Sequence, residues 1–398
     1  MTEMRTAVIG ALIVALGPIS LALYTPAMPT LVAAFQTTPA NIKLTLTVFF
    51  FGFAFAQLVC GPLSDAYGRR PVAIGFFSVY LLGSVVAAVS PSIEWLLAGR
   101  ALQGIGVAAG TAISRAIVRD QFTGQSSARI LNLIGMMLAV GPALTPILGG
   151  VLLGAFGWHS IFVAMVAYGV VVVLLMWLVV PETNASQDPA LAQPSGIVRS
   201  YSKLLRDRRF MRASLVLGLT LGGLFTMSAL VPFVLIDTVG LTPTQFGLAM
   251  VAQTGAFTAG SVLTARLLRR MDALRLVPIG LLLVVAAGLG FGIGLRVFPA
   301  SVLAVMGPAS LWAFGIALLM PGTTTSALAG FAAIAGAASA LTGFLQVGGG
   351  LAGSAVAALV FRDPFVALTV VMPSMAALAA LVHWGLAARK SNPSSGSR

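Results

Sequence analysis

Long apolar runs, separated by short polar punctuation, dominate the chain. Runs of about 20 apolar residues, the length that crosses a bilayer as a helix, fall near 6–27, 41–62, 72–90, 95–117, 129–154 and 160–180, and again near 213–236, 244–268, 274–296, 300–321, 331–361 and 365–388. The punctuation is sparse: between residues 42 and 93 the only charges are Lys43, Asp65, Arg69 and Arg70. Six spans, a polar stretch at 181–212 and six more spans predict an all-α polytopic membrane protein. Its expected parts are a bundle over 1–180, a linker over 181–212 and a bundle with a short tail over 213–398. The linker opens on Pro-Glu-Thr as a flexible connector. From Arg199 onward, Tyr201, Leu204, Leu205 and Phe210 alternate with Lys203, Arg206, Arg208 and Arg209, a pattern expected to lie as a basic amphipathic helix on an anionic membrane surface.

Composition narrows the class further. Of the 398 residues 58% are hydrophobic and 8% charged, against about a quarter charged in soluble domains. The net charge of +13 would suggest nucleic acid if it formed one face, but it follows topology instead. With the amino terminus placed in the cytoplasm, all but Lys43, Arg100, Arg296 and Arg362 of the 23 Lys and Arg residues fall at inner ends, so both termini are expected inside, in a bacterial inner membrane. The first run continues into Pro26 and Pro29 without a small-x-small cleavage site, so it is expected to remain as a span. Cys60, the one cysteine, sits in an apolar run as packing, and no metal-ligand spacing surrounds it. His159 and His383 lie in different halves and no HExxH, GxSxG or P-loop pattern occurs, so an enzyme is not expected.

The two halves carry traces of repetition. Residues 260–271, ending Leu-Leu-Arg-Arg-Met, look like an eroded copy of the 61–71 loop. The fifth span (Gly135, Gly141, Gly149, Gly150, Gly154) and the eleventh (Gly343, Gly348, Gly349, Gly350, Gly353) are both glycine-rich, which lets membrane helices approach closely.

Three stretches carry more than topology. Residues 61–71 read Gly-Pro-Leu-Ser-Asp-Ala-Tyr-Gly-Arg-Arg-Pro, a short polar hairpin between two runs. A bland alternative is a loop that merely orients two spans, but the spacing of Gly61, Asp65, Gly68, Arg69 and Arg70 resembles the cytoplasmic signature of the major facilitator superfamily, G-x-L-(A/S)-D-R-x-G-R-(R/K). In the fourth span, residues 97–110 place Arg100, Gln103, Gly104, Gly106 and Gly110 in an R-x-x-Q-G-x-G-x-x-x-G pattern. Arg100 can snorkel to the surface; the resemblance to the superfamily's fourth-span motif implies instead that it faces a central cavity and is tied to proton exchange. Arg115, Arg119 and Asp120, in Ser-Arg-Ala-Ile-Val-Arg-Asp, resemble a run in bicyclomycin and chloramphenicol exporters of the Bcr/CflA type, where it latches the cytoplasmic side. In the fifth span, Gly141, Pro142, Pro146, Gly149 and Gly150 form P-x-x-x-P-x-x-G-G, similar to that group's antiporter motif. Tyr-Thr-Pro-Ala-Met-Pro at 24–29 is similar to its Y-L-P-A-L-P, with one departure: many members carry an aspartate two residues before the tyrosine, and this chain has Ala22.

The resemblance implies a major facilitator fold of two pseudo-symmetric six-helix bundles that rock about a mid-membrane site. Expected cavity residues are Tyr24, Phe53, Gln57, Arg100, Gln103, Asn132, Met136, Phe225, Gln253, Trp312 and Gln346, an aromatic, methionine and amide wall suited to amphipathic ligands. The ten acids all fall in loops or at span ends, so no membrane-centred carboxylate is present to take up a proton. The expected function is export of small amphipathic compounds by a monomer, in exchange for protons and without cofactor, metal or nucleic acid. Ala22 supports the alternative, uniport or uptake of a nucleoside or organic anion.

Overall fold

The structure is a computed structural model that describes all residues except 123, 185–186, 188–192, 332–333 and 387–398; within helices the side chains of 124–125, 127–128, 131–132, 135–143, 194–195 and 335 are also undescribed. All regular structure among the described residues is helical. The first half holds α1 (Glu3–Ala34), α2 (Pro39–Tyr67), α3 (Arg69–Ala88), α4 (Ile93–Gln121), α5 (Gly124–Phe156) and α6 (His159–Leu178). A short helix, α7 (Pro194–Arg206), precedes α8 (Arg208–Thr238), α9 (Pro243–Leu267), α10 (Ala273–Val297), α11 (Val302–Leu328), α12 (Ala335–Leu359) and α13 (Pro364–Gly385). Eleven of these helices are long and apolar enough to cross a membrane; α5 is longer still, and its segment Leu144–Phe156 is apolar. The twelve long helices match the twelve apolar runs.

Helix starts follow side-chain chemistry. Thr2, Thr38, Asp207, Thr242, Asp272, Ser301 and Asp363 each accept a backbone N–H in the first turn of the helix they precede. Proline shapes the interiors. At Pro26 the first helix tightens into a 3₁₀ turn over Thr25–Ala27 before continuing. Pro62 and Pro321 lie inside α2 and α11, where each removes the N–H owed to the carbonyl four residues earlier.

The stretch 61–71 differs from the polar hairpin the sequence suggests. Helix α2 runs on to Tyr67 and α3 starts at Arg69, so Gly68 alone turns the corner, with a φ of 100° that favours glycine. The last turn of α2 is held by polar side chains: the Ser64 hydroxyl donates to the Gly61 carbonyl (2.9 Å), and Arg69, the first residue of α3, pairs with Asp65 four residues back. The linker holds the expected amphipathic helix, but over Pro194–Arg206 and seated on the protein rather than a membrane surface, with Leu204 fully buried among Phe210, Phe331, Ala338 and Leu341; α8 begins at Arg208, before the expected boundary at 213.

The packing repeats. In the first half α4 packs against α1, α2 and α3, while α5 lies on α1 and α6 on α3; in the second, α11 packs against α8, α9 and α10, with α12 on α8 and α13 on α10. Glycines permit the closest crossings. A Cβ on Gly83 of α3 would lie 2.6 Å from the Gly99 carbonyl oxygen of α4, and one on Gly280 of α10 would lie within van der Waals radii of the Gly315 carbonyl of α11. The halves meet on two seams, α2 against α12 and α5 against α9. We call the end bearing the linker the linker face.

Candidate functional site

Arg100 anchors a polar network inside the first bundle. Its side chain is fully buried, with the guanidinium carbon 4.5 Å above the Tyr24 ring and 4.4 Å from the Phe49 ring. The η1 nitrogen donates to Gln103 Oε1 (2.7 Å), Gln103 Nε2 donates to Ser84 Oγ (2.8 Å), and Ser84 donates to the Tyr80 carbonyl (2.9 Å). Two hydroxyl pairs flank the chain. Because Thr45 Oγ1 already donates to the Ile42 carbonyl and Ser20 Oγ to that of Leu16, the Tyr24 and Tyr80 hydroxyls are the donors in their 2.7 and 2.6 Å bonds to Thr45 and Ser20. Arg100 Nε and Nη2 have no partner in the structure. Among the described residues no carboxylate pairs with it: its charge rests on one amide oxygen and two aromatic faces, which stabilise a cation less than a counter-ion does.

The expected cavity residues divide by position. Tyr24, Arg100, Gln103 and Trp312 are fully buried inside the bundles. Trp312 Nε1 donates to the Thr220 carbonyl (2.9 Å), and the ring lies against Gly223, a glycine of α8 that leaves room for it. Phe53, Gln57, Phe225, Gln253 and Gln346 are buried or half-buried nearer the seams. Phe225 packs on Phe50 across the α2 side of the interface, ring centroids 5.2 Å apart. Gln57 Nε2 donates to Thr111 (3.2 Å), while its buried Oε1 is unpartnered beside Gly343 of α12. Gln253 donates to the Met227 sulfur (3.5 Å). The side chains of Asn132, Met136, Gly141 and Pro142 lie outside the described residues. Of the motif residues in α5, Gly149 is buried against the Leu23 carbonyl, and Gly150 and the Pro146 backbone form the α5–α9 seam, meeting Pro243 and Gly247.

At the linker face the structure gathers Asp65, Arg69, Arg119 and Asp120. Arg69, 4% exposed, donates from Nε to Asp120 Oδ2 (2.9 Å) and from Nη1 to Ser64 Oγ (2.8 Å), and pairs with Asp65 at 2.5 Å. Arg119 stands 3.8 Å from both carboxylates. Gly68 sits where the linker returns. Glu182, the second linker residue, accepts the Arg69 and Arg70 N–H groups (2.9 and 3.1 Å), capping α3 from a distance in sequence, and Asn184 donates to the Asp65 carbonyl (2.8 Å). Arg70 itself turns to the Trp177 carbonyl, and Gly61 has open space around it. These partners all belong to the first half or the start of the linker. Arg115 reaches across, donating to Ser339 of α12 (3.1 Å).

Three contacts were not foreseen from sequence. The Tyr201 hydroxyl of α7 donates to the Leu58 carbonyl (2.8 Å), the carbonyl left without a helical donor by Pro62. In the other half the Thr264 hydroxyl takes the Ala317 carbonyl freed by Pro321 (3.1 Å). At the face opposite the linker, the fully buried Lys43 of α2 donates to the Ala357 and Phe361 carbonyls at the end of α12 (2.5 and 3.0 Å), one turn from a Thr47–Ser354 hydroxyl bond (3.2 Å). An X-Pro four residues after a carbonyl was the available signal for the first two; a bond spanning 314 residues left none for the third.

A family profile described as the Major Facilitator Superfamily matches residues 10–357. The chain belongs to the major facilitator superfamily. Among curated members, an uncharacterized MFS-type transporter of Bacillus subtilis, YdgK, is 32% identical over 379 residues, 93% of this chain and 92% of that protein. The multidrug resistance protein MdtL of Escherichia coli is 28% identical over 342 residues, 85% of this chain and 84% of that one. Solved major facilitator structures share the fold at low identity. The xylose transporter XylE of E. coli, partially occluded and inward-open, has a TM-score of 0.73 at 15% identity over 96% of this chain and 97% of its own; the human organic anion transporter MFSD10 has 0.67 at 21% over 97% and 100%. The chain is therefore a multi-pass transporter rather than an enzyme, and multidrug resistance proteins are among its relatives.

Proposed function

We propose that this transporter exports small amphipathic compounds from a bacterial cell by alternating access, in exchange for protons. The observation that carries the reading is the pair of seams. Each half is locked internally by glycine-mediated crossings, and the seams differ: α5 and α9 touch backbone to backbone at Gly150 and Gly247 and serve as the pivot, while α2 meets α12 through side-chain contacts that can part, which is what rocking about a central site requires. The similarity to MdtL, named for multidrug resistance, supports the direction of transport. The units that rock are 1–180 and 213–398, joined by 181–212, and the protein works as a monomer. The linker face is cytoplasmic, because the basic residues crowd there.

In this reading the substrate rests between the bundles against Phe53, Gln57, Phe225, Gln253 and Gln346, with Arg100 behind the Tyr24 and Phe49 rings. The Asp65–Arg69–Asp120 cluster steadies the linker face, and Asp65 and Asp120 are the carboxylates within its reach for proton exchange. A second reading, uniport of a metabolite, draws on the ten acids, none of which lies at mid-span. Everted membrane vesicles separate the two. With an inside-acid gradient imposed, a transported compound dissipates the gradient in the first case, and does so less in Arg100→Ala or Asp120→Asn. Equilibration of a labelled solute with no effect on the gradient establishes the second and refutes exchange.

A further inference from the structure

We propose that Lys43 is the gating residue of the face opposite the linker, and that the cargo which opens this gate is an organic anion. The proposal rests on the alternating-access reading above. It begins with how the ammonium is held. Lys43 is fully buried on the α2–α12 seam, and its bonds go to two main-chain carbonyls, Ala357 and Phe361, at the carboxyl end of α12. Carbonyls at a helix end lack helical donors and carry the negative end of the helix dipole, so a cation from the other bundle caps them well. The bond therefore joins the two halves: when the seam parts, the ammonium loses both partners and the carbonyls must find water.

The partners are neutral dipoles, and this decides what opens the gate. A ligand shifts a conformational equilibrium only through an interaction it makes better in one state than in the other. In the closed state the ammonium is sealed by α12 and offers nothing to cargo. In the open state it is free, and an anion reaching the seam gains an ion pair there, while a neutral molecule gains little and a cation is repelled. The other charged groups at this end do not cancel the effect. Asp363, in the turn after α12, attracts Lys43 from a distance while it caps α13 through the Phe365 N–H (2.8 Å), but it belongs to the second half and moves away from Lys43 together with α12 when the seam parts; Glu94 is engaged with Ser92 at the start of α4; Arg296 and Arg362 add further positive charge. Arg100 lies deeper, buried with its Nε and Nη2 nitrogens unpartnered, so the first bundle presents cations at two depths, and none of the chain's ten acids lies at mid-span. That arrangement favours anionic cargo along the whole path.

Ser354, fully buried one turn beneath the latch, reports opening. In a Cys60→Ser background, Ser354→Cys gives a single thiol whose alkylation by a membrane-impermeant maleimide, added from the face opposite the linker, measures exposure of the seam. Lys43→Gln is expected to raise the basal labelling rate about tenfold, since charge-assisted bonds are lost, whereas Lys43→Arg, which keeps a cation on the carbonyls, stays near the parent rate and shows that the site tolerates replacement. Three probes matched in shape, 4-tert-butylbenzoate, 4-tert-butylbenzamide and 4-tert-butylbenzylammonium, test the cargo. The benzoate accelerates labelling in the Lys43 protein and not in Lys43→Gln. An unchanged basal rate in Lys43→Gln overturns the gate; equal acceleration by the amide or the ammonium, or none by the benzoate, overturns the anionic cargo. The readout is independent of transport direction and of protons, so a failed exchange assay in vesicles leaves it standing.

Discussion

Replacing Tyr201 with phenylalanine tests how the linker is attached. The hydroxyl donates to the Leu58 carbonyl at 2.8 Å, and Pro62 supplies no N–H to that carbonyl. A hydrogen bond of this kind contributes about 0.5–1.5 kcal/mol net, and a buried carbonyl left unsatisfied costs about 1–3 kcal/mol. Both residues are half-buried, so water recovers part of the loss and about 1 kcal/mol is expected, roughly a fivefold rise in the population with α7 undocked. Trypsin reads that population directly, because Lys203 and Arg206 lie on α7 itself. The decisive control is Pro62→Ala, which restores a helical N–H to Leu58: in that background Tyr201→Phe should leave the cleavage rate unchanged. An equal effect of Tyr201→Phe with and without Pro62 would refute the reasoning. The pH dependence follows with a definite sign. Burial pushes the Tyr201 hydroxyl up to about 12, above the value of about 10 for an unfolded tyrosine. The raised value means that the protonated donor is favoured in the docked state. Its contribution is complete below pH ~10 and is lost as pH rises through about 12, so the cleavage rate, normalised at each pH to trypsin's activity on an unstructured peptide, should be flat from pH ~6 to ~9.

Asp120→Asn should lower thermal stability in detergent by about 1–2 kcal/mol, because Arg69 keeps Asp65 and Ser64 but exchanges its charge-assisted 2.9 Å bond for one to a neutral amide oxygen; calorimetric or fluorescence melting checks this. Gly83→Ala should abolish folded yield, since its Cβ would meet the Gly99 oxygen at 2.6 Å, whereas Gly75→Ala on the same helix, with nothing within 4 Å, should express normally on size-exclusion chromatography. Trp312→Phe should destabilise by about 1–3 kcal/mol, because the indole bond to the Thr220 carbonyl is lost and the smaller ring leaves a gap against Gly223, with melting again the measure.

How much of this was visible in the chain depends on the range of the interaction. The twelve spans are local features, and apolar run length located all of them; only their ends moved, by the caps at Thr38 or Asp207 and by polar side chains that let helix continue through 61–67. The Asp65, Arg69 and Asp120 cluster was legible because its members sit in short motifs. Glu182 was not, since a residue that opens a linker gives no sign that it will fold back onto Arg69. Lys43 looked like a loop charge at the start of a span, and its true partners are carbonyls, which have no residue identity to recognise. Trp312 looked like a cavity aromatic because mid-span depth is readable from sequence and azimuth in the bundle is not; Gly223, which makes room for it, lies on another helix.

The paired glycine crossings have a practical consequence for measuring motion. Backbones that touch without intervening side chains leave no slack for one helix to slide on another, so Gly83 with Gly99 and Gly280 with Gly315 make each half behave as a stiff frame. Probe pairs placed within one frame, between α3 and α4 or between α10 and α11, should hold a fixed separation whatever is added. Such pairs form an internal ruler, against which any change read across α2–α12, whose contacts run through side chains, can be assigned to that seam alone.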